Sequence, residues 1–94
     1  MPAELTAGEW AAVRGLLPPQ RPPVGRPRHD HRTVLGGIVW VVRTRASWRD
    51  MPREFGKWET AYRRYRLWRD SGLWQRIATI LGMDAAEHPV EVSL

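Results

Sequence analysis

The residues best equipped for chemistry lie in one stretch, Phe55 to Trp68, FGKWETAYRRYRLW. Lys57, Arg63, Arg64 and Arg66 are interleaved there with Trp58, Tyr62, Tyr65 and Trp68. A guanidinium presents a planar fork of N–H donors that matches phosphate oxygens and the acceptor edge of guanine. An array of such forks binds polyanions. Groups that would break bonds are harder to find. No nucleophile has an evident base, and no glycine-rich phosphate loop follows a strand. His29 and His31 flank Asp30, but a metal centre needs more ligands, so they read as surface histidines. Asp30, Asp50, Asp70 and Asp84 read as caps, turn residues and surface charges. The expectation is a binding protein with no cofactor and no catalytic residues, not an enzyme.

The charge balance points the same way. The chain has 94 residues, with 15 basic against 10 acidic and a net charge of +5. From Arg21 to Arg69 there are 13 basic residues against four acids, a net of +9, and the remainder carries −4. A basic middle between weakly acidic ends suits a polyanionic partner. Arginine enrichment also follows from a GC-rich genome, so composition alone does not decide the matter. With no cysteine there are no disulfides or thiolate metal sites, which fits a reducing cytoplasm. No apolar run is long enough to span a bilayer, and Met1 to Trp10 does not resemble a secretory signal. At this length one domain is expected, with 43% hydrophobic residues to form its core.

The elements that must position the arginines follow from periodicity. LTAGEWAAVRGLLPP reads as a first helix, with Thr6 and Glu9 at capping-box spacing and Trp10, Val13 and Leu17 on one stripe. Pro18 and Pro19 stop it. Residues 18–29, rich in proline and arginine, read as a stiff linker or arm. Asp30 to Arg43 reads as a second helix, because its apolar spacing is three and four rather than two. Gly36 and Gly37 weaken that helix and would let another one approach. Ser47 caps a turn, Pro52 starts a short helix to Phe55, and Gly56 is a left-handed stop. A third long helix follows to Gly72, and LWQRIATIL makes the last, closed by Gly82. The expected fold is all-α: four main helices plus a short one over residues 5–82, with 83–94 a flexible tail.

On a helical wheel, Trp58, Ala61, Tyr62, Tyr65 and Trp68 fall within about 120° of arc. Thr60, Arg63, Arg64, Arg66 and Leu67 face the other way, with Glu59 at the flank. Arg69 falls inside the apolar arc and is expected to lay its stem over a ring. A short helix, a glycine turn and a longer basic helix have the grammar of a helix-turn-helix. Its base-reading positions would be Glu59, Thr60, Arg63 and Arg64, extending to Leu67, with Lys57 and Arg66 on phosphates. GRPR, Gly25 to Arg28, is suited to a narrow minor groove, which adds Arg26 and Arg28 to the DNA-binding set. The six tryptophans read mostly as core. Trp40, opposite its helix's apolar stripe, reads as an exposed partner surface.

These blocks also resemble the N-terminal region of bacterial insertion-sequence transposases, in the large group whose best-known member is numbered five. The resemblance runs from Leu5 to Trp10, Leu16 to Pro18, Gly25 to Pro27, Arg43 to Pro52 and Phe55 to Trp68. Arg45 stands where that family has glycine, Met51 for leucine, Ala61 for valine and Tyr65 for phenylalanine. Only the first is expected to matter, because a left-handed turn suits glycine and not arginine. The resemblance implies a DNA-binding module ahead of a catalytic domain that uses an Asp-Asp-Glu triad and two metal ions. The family's first catalytic aspartate lies in an Asp-Ser-Thr type motif, and none of the aspartates here matches it.

The expected function is therefore recognition of an element's terminal inverted repeats in double-stranded DNA, without the nuclease. The expected location is the bacterial cytoplasm, with the nucleoid. A homodimer or a transposase subunit is allowed for as protein partner, and a membrane is not. One alternative is a stand-alone regulator, either a repressor or an inhibitor of transposition. Another is a protein-interaction module.

Overall fold

Thr6 opens the first helix by satisfying two backbone donors at once. Its hydroxyl accepts from the Glu9 amide at 3.1 Å, and the Glu9 carboxylate accepts from the Thr6 amide at 3.0 Å. This is the reciprocal capping box expected from the spacing. Helix α1 runs Ala7–Val13 and tightens into a 3-10 turn, Arg14–Leu16. Its inward stripe buries Val13 and Leu17 and half-buries Trp10. The computed structural model describes residues 3–18 and 31–83. The expected arm with Arg26 and Arg28, and the expected tail beyond Met83, lie outside the described residues.

Helix α2, His31–Thr44, is the centre of the fold. Val34, Leu35, Ile38, Val39, Val41 and Val42 are all buried, so the helix is apolar nearly all round, as a core helix must be. Trp40 is half-buried and packs on the same core, which corrects the expectation of an exposed surface there. The wheel left one side of α2 empty; the fold covers it. Gly36 and Gly37 do permit a close approach, by a 3-10 turn rather than a helix. A Cβ on Gly37 would lie 2.6 Å from Met51 Sδ and 3.0 Å from Phe55 Cβ.

Arg45 follows α2 in the left-handed region, with φ 57°. Two 3-10 turns come next, Trp48–Asp50 and Arg53–Phe55. The Ser47 hydroxyl caps the first by accepting from the Arg49 amide at 3.3 Å. The short helix expected from Pro52 is thus a single 3-10 turn. Gly56, at φ 91° and ψ −162°, occupies backbone space open in practice only to glycine and redirects the chain. Helix α3, Trp58–Asp70, begins there. Gly72, with φ 85°, separates it from α4, Leu73–Ile80. The fold is all-α, with four helices and no strand among the described residues.

Packing places α3 between α2 and α4, with the 3-10 turn Trp48–Asp50 against it and α1 against α4. Aromatic rings form the joint. Trp48 and Trp74 are fully buried and lie 5.7 and 5.5 Å from the Tyr65 ring. Trp48 also meets Tyr62 edge-on at 5.5 Å. Truncating Trp48 or Trp74 to alanine would cost ~3–5 kcal/mol. These contacts hold α3 by one edge and leave its other edge to solvent. Met83 donates its amide to Ala78 O at 2.8 Å and packs on the core.

Candidate nucleic-acid interface

The stripe on α3 divides as its spacing implies. Ala61, Tyr65 and Trp68 are buried, and Trp58 and Tyr62 are half-buried against the core. Arg69 does reach a ring, but with its head: the guanidinium lies 5.6 Å from the Tyr65 ring centroid, and its Nε donates to Asp70 Oδ1 at 3.4 Å. Opposite that stripe, Glu59, Arg63, Arg66 and Leu67 are exposed, Leu67 by 63%.

The arginines on α3 are not equivalent. Arg63 stands at the middle of the outward face, one turn from Glu59 and from Leu67. Arg66 lies at one border, its guanidinium 5.9 Å from the Tyr62 ring centroid. Arg64 lies at the other border, half-buried, and donates to His31 Nδ1 at 3.0 Å. Thr60, one turn earlier on that border, is also half-buried. Lys57 is the N-cap residue of α3, exposed, with no capping hydrogen bond from its side chain. Arg43 pairs with Glu9 and Arg69 with Asp70, whereas Arg63, Arg66 and Lys57 have no carboxylate partner among the described residues.

His31 links three elements. Its Nε2 lies 3.0 Å from Pro18 O, a carbonyl that can only accept, so Nε2 carries the proton. Nδ1 is then the lone-pair site that receives Arg64. The ring meets Trp68 edge-on at 5.8 Å. Pro18 and His31 bracket the expected arm, and this cluster sets both of its ends beside Arg64. His31 is therefore a buttress of α3, a role that its sequence neighbours did not signal.

Two more cations escaped sequence analysis. Arg49 and Arg53, on the two 3-10 turns, border a cavity of about 700 Å³ together with Lys57, Trp58 and Glu59. Neither belongs to an arginine run, and only the folding back of these turns brings them to the start of α3. No group of three or more metal-ligating side chains occurs among the described residues. No helix among them is long and apolar enough to cross a membrane.

Residues 5–78 match the model of a family described as "Putative transposase of IS4/5 family (DUF4096)". The chain is similar to the "Insertion element IS402 uncharacterized 16.2 kDa protein" of Burkholderia cepacia, at 37% identity over 78 residues. That alignment covers 77% of this chain and 53% of the relative. It is also similar to "Uncharacterized protein y4sN" of Sinorhizobium fredii (strain NBRC 101917 / NGR234), at 29% identity over 77 residues, covering 82% of this chain and 62% of that protein. The chain thus spans little more than half the length of these relatives. No solved structure matches it. The matched region holds the capping box, the core of α2, both 3-10 turns and all of α3, so the elements that form the arginine face are those of the family. With that match over most of its length, the chain belongs to the IS4/5 transposase family.

Proposed function

We propose that this chain is a DNA-binding module of an insertion-sequence transposase that recognises the terminal inverted repeats of its element. The observation that carries the reading is Arg63, exposed at the centre of a helix whose other edge is fixed by a buried aromatic joint, and in no ion pair among the described residues. A helix held this rigidly can enter a major groove without paying to order itself. Arg63 would meet a guanine edge, Glu59 would accept from a cytosine amine, and Thr60 and Leu67 would lie against thymine methyls. Lys57 and Arg66 would hold phosphates at the groove walls. Arg64 would act from the border of the face, because its guanidinium already bonds His31. Arg26 and Arg28 would act from the segment between Pro18 and His31, two residues that lie beside Arg64.

The test is binding of the chain to duplexes carrying the element's ends and to random duplexes, across a range of salt. With about five phosphates neutralised, log affinity should fall against log salt with a slope of about −4 to −5. Preference for the element's ends should remain after the salt-dependent part is removed. A flat salt response, or equal affinity for both duplexes, would defeat the assignment.

A further inference from the structure

We infer that the cleft between the two 3-10 turns and the start of α3 binds a backbone phosphate of duplex DNA, with Arg49, Arg53 and Lys57 as its cationic ligands. This rests on the reading of α3 as a groove-binding helix and extends the contact surface to elements that precede it. The cleft has a volume of about 700 Å³. Three cations border it against one carboxylate, Glu59.

Arg49 is already in place. Its guanidinium lies 5.5 Å from the centroid of the Trp58 ring, and Trp58 is half-buried beside Tyr62 at 6.4 Å. A ring face orients the guanidinium plane while leaving its N–H donors available. Part of the entropy of fixing that side chain is therefore lost before any ligand arrives. Arg49, Arg53 and Lys57 have no carboxylate partner among the described residues. The amino end of α3, whose N-cap side chain makes no capping bond, adds its partial positive charge to the same space.

The position of the cleft selects the ligand. Six residues separate Lys57 from Arg63, about 9 Å along the helix axis. A major groove is about 12 Å wide and is bordered on both sides by phosphates. With Arg63 over the base edges, the cleft meets the groove wall. Glu59 lowers the local charge, so a free anion gains little there, and the phosphate is brought in by the docking of α3.

The experiment compares the full chain with an Arg49→Gln/Arg53→Gln double variant by fluorescence anisotropy, on an element-end duplex and on a random duplex, at several salt concentrations. Both residues are exposed, so helicity by circular dichroism should be unchanged. The salt slope should become shallower by about one, with affinity reduced by a similar factor on both duplexes. Arg53→Gln alone, which leaves Arg49 on Trp58, should also weaken both. Wild-type slope and affinity in the double variant, alongside weakened binding by Arg63→Ala, would overturn this inference and leave the α3 reading standing. Failure of the unaltered chain to bind either duplex would remove both.

Discussion

Arg43, in the last turn of α2, grips the Glu9 carboxylate in the first turn of α1 with both terminal nitrogens, across 34 positions of sequence. The same Arg43 donates to Glu4 O at 3.2 Å, and the same Glu9 closes the capping box with Thr6. One forked contact thus ties the amino end of the chain to the central helix.

Hydrogen bonding from Arg43 lowers the Glu9 pKa from 4.5 to about 2. A carboxyl that holds its proton less tightly when folded stabilises the fold only while ionised. Its contribution is complete above about 4.5, declines as the pH falls, and is gone below about 2. Glu9→Gln keeps the capping geometry and removes the charge. It should cost roughly 2 kcal/mol at neutral pH. The gap between wild type and variant, measured by urea unfolding, should close on going from pH 5 to pH 2.

Arg45 holds a left-handed conformation, φ 57°, that costs a side-chain-bearing residue about 1–2 kcal/mol. Arg45→Gly should stabilise the domain by about 1 kcal/mol, or ~4–8 °C in melting temperature. Arg45→Val, β-branched at the same φ, should lower the melting temperature. A fall with glycine would mean that the arginine's own contacts outweigh the strain.

Gly37→Ala should destabilise the fold although alanine favours helix. The new methyl would meet Met51 Sδ at 2.6 Å and Phe55 Cβ at 3.0 Å. Met51 can swing aside, but Phe55 Cβ is tied to the backbone. The expected loss is about 1–2 kcal/mol, because overpacking exceeds the propensity gain. Thermal unfolding decides it.

Arg63→Ala and Arg64→Ala should behave differently. Arg63→Ala should leave stability within about 0.5 kcal/mol, as for an exposed residue without partners. It should weaken specific DNA binding by ~1–3 kcal/mol. Arg64→Ala breaks the bond to His31 and should lower stability by about 1 kcal/mol, with a smaller effect on sequence preference. Equal loss on all sequences for Arg63→Ala would make it a phosphate contact. Paired melting and anisotropy measurements separate the two roles.

Much of the architecture is local and was readable in advance. Thr6 and Glu9 are three residues apart, so their reciprocal capping needs nothing beyond one helical turn. Gly56, Gly72 and Gly82 take positive φ where the helices stop or turn. The two edges of α3 follow from a period of about 3.6 residues, which any sequence displays. Arg63 at the centre of the outer edge could be read in the same way.

What only the tertiary structure decided depends on residues that meet across long stretches of chain. Arg64 looked like its neighbour Arg63 until α2 brought His31 to it, 33 positions away. Trp40 looked exposed because a wheel of α2 shows its own apolar stripe and not the elements that surround it. Gly36 and Gly37 signalled a close approach, but the partners are Met51, between the two 3-10 turns, and Phe55 at the end of the second, where a helix was expected. Arg49 and Arg53 carried no signal, since their position beside Lys57 arises from the path of two short turns. Periodicity and capping are set by neighbours within a turn or two. The choice of which cation is paired and which stays exposed is made by the packing of whole helices.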